Sequence, residues 1–398
     1  MPVNLWGVPP AYTTFTETPG AETSLKELAL LFLHLGTTAF GGPAAHIAMM
    51  HTEVVEKRRW LNEQEFLDML GAVNLIPGPN STEMAIHVGH ARRGWPGLLI
   101  SGVCFIVPAA VMVCLIAWAY VTYRQLPQAA AVFYGLKPVV LAVVIQALIT
   151  LARKAVKTPF LAICGVLAAA LALREVNELI ILLGAGCLLL LVELARHRDV
   201  GAFRSFVAMP GLWFAGAAAT VATPFGLWPM FLFFLKTGSV LFGSGYVLLA
   251  FLRDDLVYRW HWLSEGQLLD AIAVGQITPG PVFTTATFIG YVLGGLPGAG
   301  LATLGIFLPA FVFVAISGPL VPRLRKSKLC GAFLDGVNVA SLALMFAVLT
   351  QIARAAVIDR ATLGLAVLSL VLLYWKRVNV VWLMIGGSVA GLVLRWWG

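Results

Sequence analysis

The sequence predicts an all-α polytopic membrane protein built from two inverted homologous repeats of five to six membrane segments each, with broken or re-entrant helices at Pro-Gly-Pro motifs. Three observations lead to this fold class. The 398 residues are 60% hydrophobic and 12% charged, with a mean hydropathy of +0.88, which excludes a soluble globular protein. Much of the sequence is an internal duplication. Both copies carry Pro-Gly-Pro inside an apolar stretch.

The apolar composition is divided into segments of membrane-crossing length. A helix needs about 20 apolar residues to cross the hydrocarbon core of a bilayer. Such segments lie near 25–50, 95–121, 131–152, 159–174, 178–195, 206–227, 229–252, 289–321, 332–357, 361–375 and 378–397, with shorter or more polar candidates at 64–90 and 266–288. The first 22 residues lack the basic and apolar regions of a cleavable signal peptide.

The duplication relates residues 32–109 to residues 234–310. Phe40-Gly41-Gly42 matches Phe242-Gly243-Ser244, and Pro77-Gly78-Pro79 matches Pro279-Gly280-Pro281. The duplication predicts an N-terminal extension (1–22), a first membrane repeat (23–200), an apolar linker (201–228) and a second, inverted membrane repeat (229–398).

The formal charge of +8 does not indicate nucleic-acid binding. The basic residues lie in short loops between apolar segments, which is the positive-inside pattern and predicts contact with a lipid bilayer. Two counts of crossings remain open. Either 64–90 and 266–288 are re-entrant hairpins, or they span the membrane and the linker adds a further helix. Both counts place the second half upside down relative to the first.

Each Pro-Gly-Pro motif is predicted to separate two helices. Asn62 before Glu65, and Ser264 before Gln267, have the spacing of an N-cap and its partner, so a helix begins after each preceding tryptophan. Proline stops that helix and favours the first turn of a new one. The new helix then begins at membrane depth, where its unpaired N–H groups carry roughly half a positive charge.

Such helix N-termini are anion-binding sites, and the residues around them suit a tetrahedral oxyanion. Hydroxyls and amides cluster there while acidic residues are few. The predicted substrate-binding residues at the breaks are Asn74, Pro77, Gly78, Pro79, Asn80, Ser81 and Thr82 in the first copy, and Gln276, Thr278, Pro279, Gly280, Pro281 and Thr284 in the second. The alternative is that Pro-Gly-Pro only kinks a packed helix.

A second glycine motif precedes each Pro-Gly-Pro motif. Gly41 and Gly42 in the first copy, and Gly243, Ser244 and Gly245 in the second, are predicted to form further broken segments that line the same cavity. Close helix packing is the alternative.

Charged side chains inside apolar segments complete the candidate site. Lys137 and Lys236 would supply a positive field for a divalent anion if they are buried, whereas snorkelling to the interface is the alternative. Glu83 and His34, the latter at the position equivalent to Lys236, are candidates for proton coupling. An acid beside an anion site is electrostatically unfavourable unless it is protonated.

Other chemistry has no motif in this chain. There is no Walker loop, which argues against ATP drive, and no H-E-x-x-H or nucleophile–base motif, so we expect no enzyme. The five scattered cysteines have no metal-site spacing. We therefore expect no metal and no cofactor.

The two motifs in both halves resemble the long-chain chromate transporter family. The resemblance rests on Phe40-Gly41-Gly42-Pro43 with Pro77-Gly78-Pro79-Asn80, and on Phe242-Gly243-Ser244-Gly245-Tyr246 with Pro279-Gly280-Pro281. It covers essentially the whole chain. It implies oppositely oriented halves and efflux of chromate across the bacterial inner membrane, with sulfate as a competitor. Gly-Ser-Gly in place of Gly-Gly-Pro suggests that the halves contribute unequally.

The resulting functional prediction is a secondary active transporter that exports chromate from the cytoplasm, driven by the membrane potential or a proton gradient, and confers chromate resistance. One half would rock against the other. The alternative is an exporter or importer of sulfate or another small solute on the same scaffold, because Pro-Gly-Pro-Asn also resembles small amino-acid exporters. The predicted partners are the oxyanion and the bilayer, with a homodimer as an open oligomeric state.

Overall fold

The computed structural model describes residues 23–40, 42–74, 76–123, 125–174, 176–197, 224–241, 248–317, 328–376 and 378–397. Within these ranges the regular structure is helical, and there is no β-strand. The N-terminal extension (1–22) and residues 201–223 of the apolar linker lie outside the described residues.

Within the described residues, each half contributes seven α-helices in the same order. The first half holds α1 (Leu25–Thr38), α2 (Gly42–His51), α3 (Glu63–Val73), α4 (Asn80–Tyr123), α5 (Pro127–Ala155), α6 (Pro159–Leu173) and α7 (Glu178–His197). The second half holds α8 (Leu227–Val240), α9 (Leu248–Phe251), α10 (Glu265–Ile277), α11 (Thr285–Ser317), α12 (Lys328–Ala356), α13 (Arg360–Val371) and α14 (Val380–Trp397). π-Helical turns extend α2 (Thr52–Lys57), α9 (Leu252–Arg259) and α13 (Leu372–Lys376), and a 3₁₀ turn (Val282–Thr284) precedes α11.

Helices long and apolar enough to cross a membrane confirm the all-α polytopic class. Among the described residues there are five of them, over Asn80–Tyr123, Pro127–Arg153, Glu178–Ala195, Val282–Ser317 and Leu329–Ala356. Shorter apolar helices cover Pro159–Leu173, Leu227–Val240 and Val380–Arg395.

The helix starts predicted from capping sequences are confirmed in both halves. The Asn62 side chain accepts from the N–H of Glu65 at 2.8 Å, and the Ser264 hydroxyl accepts from the N–H of Gln267 at 3.2 Å. The residues just before the two tryptophans, Arg59 and His261, both adopt the left-handed conformation, with φ of 51° and 54°. The duplicated sequence therefore folds into duplicated local structure.

The long helix α4 reverses direction near its first third. Arg93 and Gly94 leave the helical conformation, and Gly94 has a φ of 59° that favours glycine. A Cβ on Gly89 would overlap the carbonyl of Gly97, so residues 80–92 (α4a) fold back against residues 95–123 (α4b). In α11, Gly295 has the same role with a φ of 61°, and separates residues 285–293 (α11a) from residues 296–317 (α11b).

Arg92, at the end of α4a, shows that the segments before α4b are re-entrant. Its guanidinium donates to the carbonyl of Trp60, just before α3, at 2.8 Å, and to the hydroxyl of Thr23, just before α1, at 3.0 Å. The start of α1, the loop between α2 and α3, and the end of α4a therefore lie at one level. Hence α1–α2 (hairpin 1A) and α3–α4a (hairpin 1B) each enter the protein and return to the same side.

The second half repeats this arrangement with α8–α9 (hairpin 2A) and α10–α11a (hairpin 2B). A Cβ on Gly294, at the reversal in α11, would lie 2.8 Å from the side chain of Leu227 at the start of α8. The ring of Phe225 lies 5.3 Å from that of Trp262, just before α10. These contacts support the hairpin interpretation of 64–90 and 266–288. The apolar stretch 25–50 is likewise divided into two helices rather than one crossing.

The two halves run in opposite directions. Helix α4b begins on the side where hairpins 1A and 1B begin, and Tyr120 near its far end donates to Asp270 of α10 at 2.9 Å. The Tyr120 ring also lies 5.1 Å from Phe288 in α11a. The second half therefore begins its hairpins on the opposite side, as the sequence predicted for an inverted repeat.

Helix packing groups the elements into two bodies, and each contains parts of both halves. In the first, which we name the hairpin body, α1 packs on α4, α8 packs on α11, and α4 packs on α11. In the second, which we name the scaffold body, α5 packs on α12, α13 and α14, and α12 packs on α6 and α7. The C-terminal helices are thus exchanged between the halves.

Candidate functional site

The first Pro-Gly-Pro motif forms the tip of hairpin 1B. Helix α3 ends at Val73, and α4 begins at Asn80, directly after Pro79. The backbone N–H groups of Thr82 and Glu83 donate to the carbonyl of Pro79 at 2.8 and 3.0 Å, which closes the first turn. The break is therefore a helix end followed by a new helix N-terminus, as predicted.

The Asn80 side chain donates to the Asn74 side chain at 2.8 Å, across this break. Asn74 is exposed, whereas Pro77, Gly78 and Pro79 are buried. One edge of this tip therefore faces the surface, while its prolines pack inside the protein.

The second Pro-Gly-Pro motif forms the tip of hairpin 2B, with a different polar arrangement. The Thr278 hydroxyl donates to the carbonyl of Val274 at 2.9 Å, and the Thr284 hydroxyl donates to the carbonyl of Pro281 at 2.8 Å. A 3₁₀ turn here precedes α11, whereas α4 begins directly after Pro79. The two tips are equivalent in sequence position but not identical in hydrogen bonding.

The tips of each half meet the other half through a reciprocal pair of hydrogen bonds. Gly78 N–H donates to the carbonyl of Leu241, after α8, at 2.7 Å. Gly280 N–H donates to the carbonyl of Ala39, after α1, at 2.9 Å. The tip of hairpin 1B thus contacts the end of the first helix of hairpin 2A, and the tip of hairpin 2B contacts the end of the first helix of hairpin 1A. Each Pro-Gly-Pro tip is therefore held against the opposite half within the hairpin body.

Positive φ angles explain the glycines at both tips. Gly78 has a φ of 138° and Gly280 a φ of 84°, which residues with a Cβ rarely adopt. A Cβ on Gly280 would also lie 2.6 Å from Cβ of Ala109 and 3.0 Å from the carbonyl oxygen of Gly36. Backbone conformation and close approach both require glycine at this position.

Glu83 lies in the first turn of α4a and is fully buried. A Cβ on Gly78 would overlap Oε1 of Glu83, so the carboxyl group lies directly on the Pro-Gly-Pro tip. Among the described residues, neither carboxyl oxygen has a hydrogen-bond partner, and neither does the buried hydroxyl of Thr82. Buried polar groups are normally paired, so these two side chains mark the tip as a candidate binding site.

His87 follows Glu83 by one helical turn and is 3% exposed. Its Nε2 atom has no hydrogen-bond partner among the described residues. His90, almost one turn further along α4a, is partly exposed and lies 5.9 Å from the Trp95 ring. The equivalent positions in the second half are Thr285, Ile289 and Val292, so this column of titratable groups belongs to the first half alone.

Lys137 forms an ion pair between the two bodies. Its Nζ lies 3.1 Å from Oδ1 of Asp270. The other carboxylate oxygen of Asp270, Oδ2, accepts a hydrogen bond from the Tyr120 hydroxyl at 2.9 Å. The lysine side chain is 22% exposed and the aspartate side chain 9% exposed. Lys137 belongs to α5 of the scaffold body and Asp270 to α10 of the hairpin body. The pair therefore fastens hairpin 2B to the scaffold.

A cavity of about 410 Å³ opens beside this ion pair. Its aromatic and charged walls include Phe133, Tyr134, Lys137, Asp270 and Arg395. The Tyr134 hydroxyl donates to Asp359 at 2.6 Å, and the Arg395 guanidinium lies 5.2 Å from the Tyr134 ring centroid. The cavity contains neither Pro-Gly-Pro tip.

Lys236 is also paired rather than isolated. Its Nζ lies 3.5 Å from Asp255, which also pairs with Arg259. His34, at the equivalent position in α1, is exposed. Because the partners of Lys137 and Lys236 are acidic, the positive field of each lysine is largely compensated in this conformation.

The structure brings together some of the predicted site residues and separates others. Both Pro-Gly-Pro tips lie in the hairpin body, the first followed by Asn80, Ser81, Thr82 and Glu83, the second flanked by Thr278 and Thr284. Gly42 begins α2 with a φ of 77°. Lys137 and Lys236 lie in separate ion-pair clusters. Gln276 lies in the last turn of α10 and is half-buried. Gly41, Gly243, Ser244 and Gly245 lie outside the described residues.

Sequence reasoning missed the residues that position this site. Arg92 was assigned only to a basic loop, but it joins the bases of two hairpins. Asp255 and Asp270 were not recognised as partners of the lysines. The only available signal was that Asp270 recurs as Asp68 in the other copy, which marks the position without naming its partner.

Comparison with known proteins gives the same division into halves. A family model described as Chromate transporter matches residues 26–190 and again residues 228–392. A chromate transport protein of Cupriavidus metallidurans is 33% identical over 374 residues, which cover 93% of each chain. A chromate transport protein of Pseudomonas aeruginosa is 31% identical over 392 residues, covering 94% of each chain. A probable chromate transport protein of Synechococcus elongatus is 33% identical over 87% of this chain and 89% of its own. No solved structure matches this chain.

Proposed function

Because this chain belongs to the chromate transporter family, we propose that it is a secondary active transporter that exports chromate from the cytoplasm. The observation that supports the proposal is that the Pro-Gly-Pro tip of each half contacts the opposite half, through the Gly78–Leu241 and Gly280–Ala39 hydrogen bonds. Broken helices that meet between inverted repeats are the usual substrate site of secondary transporters.

The anion would bind at the N-terminus of α4, where unpaired polar groups are already buried. The backbone N–H group of Ser81 precedes the first helical hydrogen bonds, and the buried Thr82 hydroxyl, which has no partner among the described residues, lies in the same turn. Donors of this kind replace the hydration of an oxyanion, and the helix dipole favours its charge. Lys137 and Lys236 remain predicted sources of additional positive field.

The packing of the helices suggests how access would alternate. A rocking of one half against the other would separate α5 from α14 and α7 from α12, which pack closely across the halves. Movement of the hairpin body against the scaffold body would leave those contacts intact. It would carry both tips together and would break the Lys137–Asp270 pair.

The membrane potential is a sufficient drive for export of a dianion. Moving one elementary charge across 100 mV is worth about 2.3 kcal/mol, so the dianion alone gains about 4.6 kcal/mol, and a dianion accompanied by one proton still gains about 2.3 kcal/mol from the membrane potential. In a cell with a negative interior this energy favours outward movement of chromate. We therefore place the protein in the inner membrane and expect it to confer chromate resistance.

Everted membrane vesicles test this proposal directly. Energised vesicles that contain the protein should accumulate ⁵¹Cr-labelled chromate, and vesicles without it should not. Collapse of the membrane potential and proton gradient should abolish accumulation, while unchanged accumulation would reject secondary active transport. The chromium should remain Cr(VI), since reduction during uptake would indicate an enzyme.

Competition separates the alternative substrates. Unlabelled sulfate should reduce chromate accumulation because it has the same charge and tetrahedral shape, whereas zwitterionic amino acids should not. Stronger inhibition by an amino acid than by sulfate would favour the exporter of another solute.

A further inference from the structure

We propose that Glu83 binds the proton that accompanies transport, that His87 and His90 connect it to the side of the membrane where Arg92 lies, and that proton and anion move in the same direction. The inference rests on the proposed function, because it concerns the ion that is coupled to the oxyanion. Beyond that function, it names the residue that binds the coupled proton, the path that the proton takes and the direction in which it moves.

The burial of Glu83 argues first for a neutral carboxyl group. The side chain is fully buried, and both of its oxygens are without a hydrogen-bond partner or cation among the described residues. An unpaired carboxylate would be too costly to bury in this way. In the conformation described, Glu83 therefore holds a proton.

Among the described residues, no hydrogen bond or ion pair supplies another group that would neutralise a Glu83 carboxylate. The elements that pack against α4 are α1, α2 (which the π-helical turn continues), α3, α10, and α11 with its preceding 3₁₀ turn, and α4a also packs on α4b. Their charged or titratable side chains are Lys26, Glu27, His34, His46, His51, Glu53, Glu56, Lys57, Glu63, Glu65, Asp68, Glu265, Asp270, Cys104, Cys114, Tyr120, Tyr123 and Tyr291. None of the hydrogen bonds or ion pairs described for these residues is to Glu83 or His87.

Two of these groups in the first half are engaged elsewhere. His46 contacts the carbonyl of Ala39 at 3.0 Å and packs against Phe105. The Glu65 carboxylate accepts from the N–H of Asn62 at 2.8 Å, at the base of hairpin 1B. A proton is therefore the simplest neutralising partner for Glu83.

The histidines supply a path along one face of α4a. Residues three and four apart lie on the same side of a helix, so Glu83, His87 and His90 form a column. The column runs from the buried tip to the partly exposed His90, two residues before Arg92. Imidazole can accept a proton on one nitrogen and donate from the other, which suits a relay. The Nε2 atom of His87 is available for such an exchange.

The direction of coupling follows from the position of the carboxyl group. Glu83 lies on Gly78 at the N-terminus of α4, where the oxyanion is proposed to bind. A nearby negative charge favours protonation of a carboxylate, and by reciprocity the protonated carboxyl favours anion binding. Proton and anion therefore bind together and are released together. Antiport of proton and anion would instead require that binding of one weakens binding of the other.

Thr285 provides a matched comparison in the second half. It occupies the position equivalent to Glu83, and its hydroxyl donates to the carbonyl of Val282 at 2.8 Å. Replacing it tests the same place in the fold without removing an ionisable group.

The experiment uses the full-length protein in proteoliposomes that contain a pH-sensitive dye and ⁵¹Cr-labelled chromate, at alkaline pH, where chromate is the dianion. A chromate gradient should move protons in the direction of the anion. Glu83→Gln mimics the neutral carboxyl group, so it should retain chromate counterflow but lose proton movement. Glu83→Asp should restore proton movement, Thr285→Val should keep both activities, and His87→Asn should slow proton movement without loss of counterflow.

Several results would overturn the inference. Retention of proton movement by Glu83→Gln would exclude a proton site at this residue. Loss of counterflow by Glu83→Gln, with an elution profile and melting temperature that match the wild type, would exclude it as well. Proton movement opposite to the anion in the wild type would reverse the direction. Absence of any chromate flux in the wild type would instead reject the proposed function, so the two failures are distinguishable.

Discussion

Variants of the Lys137–Asp270 ion pair can show whether Lys137 binds the anion or only joins the hairpin body to the scaffold body. Its charged atoms are 3.1 Å apart, and its side chains are 22% and 9% exposed. With an effective dielectric constant of about 20, this separation corresponds to an attraction of about 5 kcal/mol. Removal of one partner from a buried pair typically costs about 3–5 kcal/mol, because the other charge is left uncompensated. Partial exposure of Lys137 favours the lower end of that range.

We therefore expect Lys137→Gln and Asp270→Asn each to lower the free energy of unfolding by about 3 kcal/mol. The double variant should recover most of that loss, because no unpaired charge remains. Unfolding in detergent, analysed as a double-mutant cycle, measures the coupling directly. Losses that simply add in the double variant would refute the ion pair.

Transport by the same three variants separates the two functions of Lys137. If the pair only joins the bodies, the double variant should move chromate at a rate near that of the wild type. If Lys137 contacts the anion, the double variant should be as inactive as Lys137→Gln. Lys157, which pairs with Asp335 at 2.8 Å inside the scaffold body, provides a matched lysine control.

Three further predictions concern packing and the hairpin bases. Gly280→Ala should abolish transport and lower stability, since left-handed backbone alone costs about 1–2 kcal/mol with a Cβ, whereas Gly300→Ala, in open space, should have no effect. Gly387→Ala should destabilise the contact between α14 and α5, because its Cβ would lie 2.8 Å from a carbonyl oxygen, while the adjacent Gly386→Ala should be silent in the same melting assay. Arg92→Gln should lower stability by about 1.5–3 kcal/mol through the loss of charged hydrogen bonds, and should increase labelling of cysteines placed at the bases of hairpins 1A and 1B. Unchanged labelling would contradict the role assigned to this residue.

The sequence by itself determined the local features of this protein. Pro-Gly-Pro fixed where α3 and α10 end, because proline lacks an N–H donor and clashes with the preceding turn. Asn62 and Ser264 fixed where those helices begin, because their side chains cap the first turn. The duplication predicted two inverted halves. These signals act within a few residues of the chain, so they can be read without knowledge of its neighbours.

Only the tertiary structure decided how distant residues pair. The exchange of α6 and α7 with α13 and α14 across the halves has no sequence signature, because apolar helix faces are interchangeable in composition. The sequence shows Lys137 as a cation within an apolar helix, and only the packing of the helices shows that Asp270 lies beside it. The energy of a charge depends on which opposite charge lies within a few ångströms, and that distance is set by packing between segments far apart in the chain.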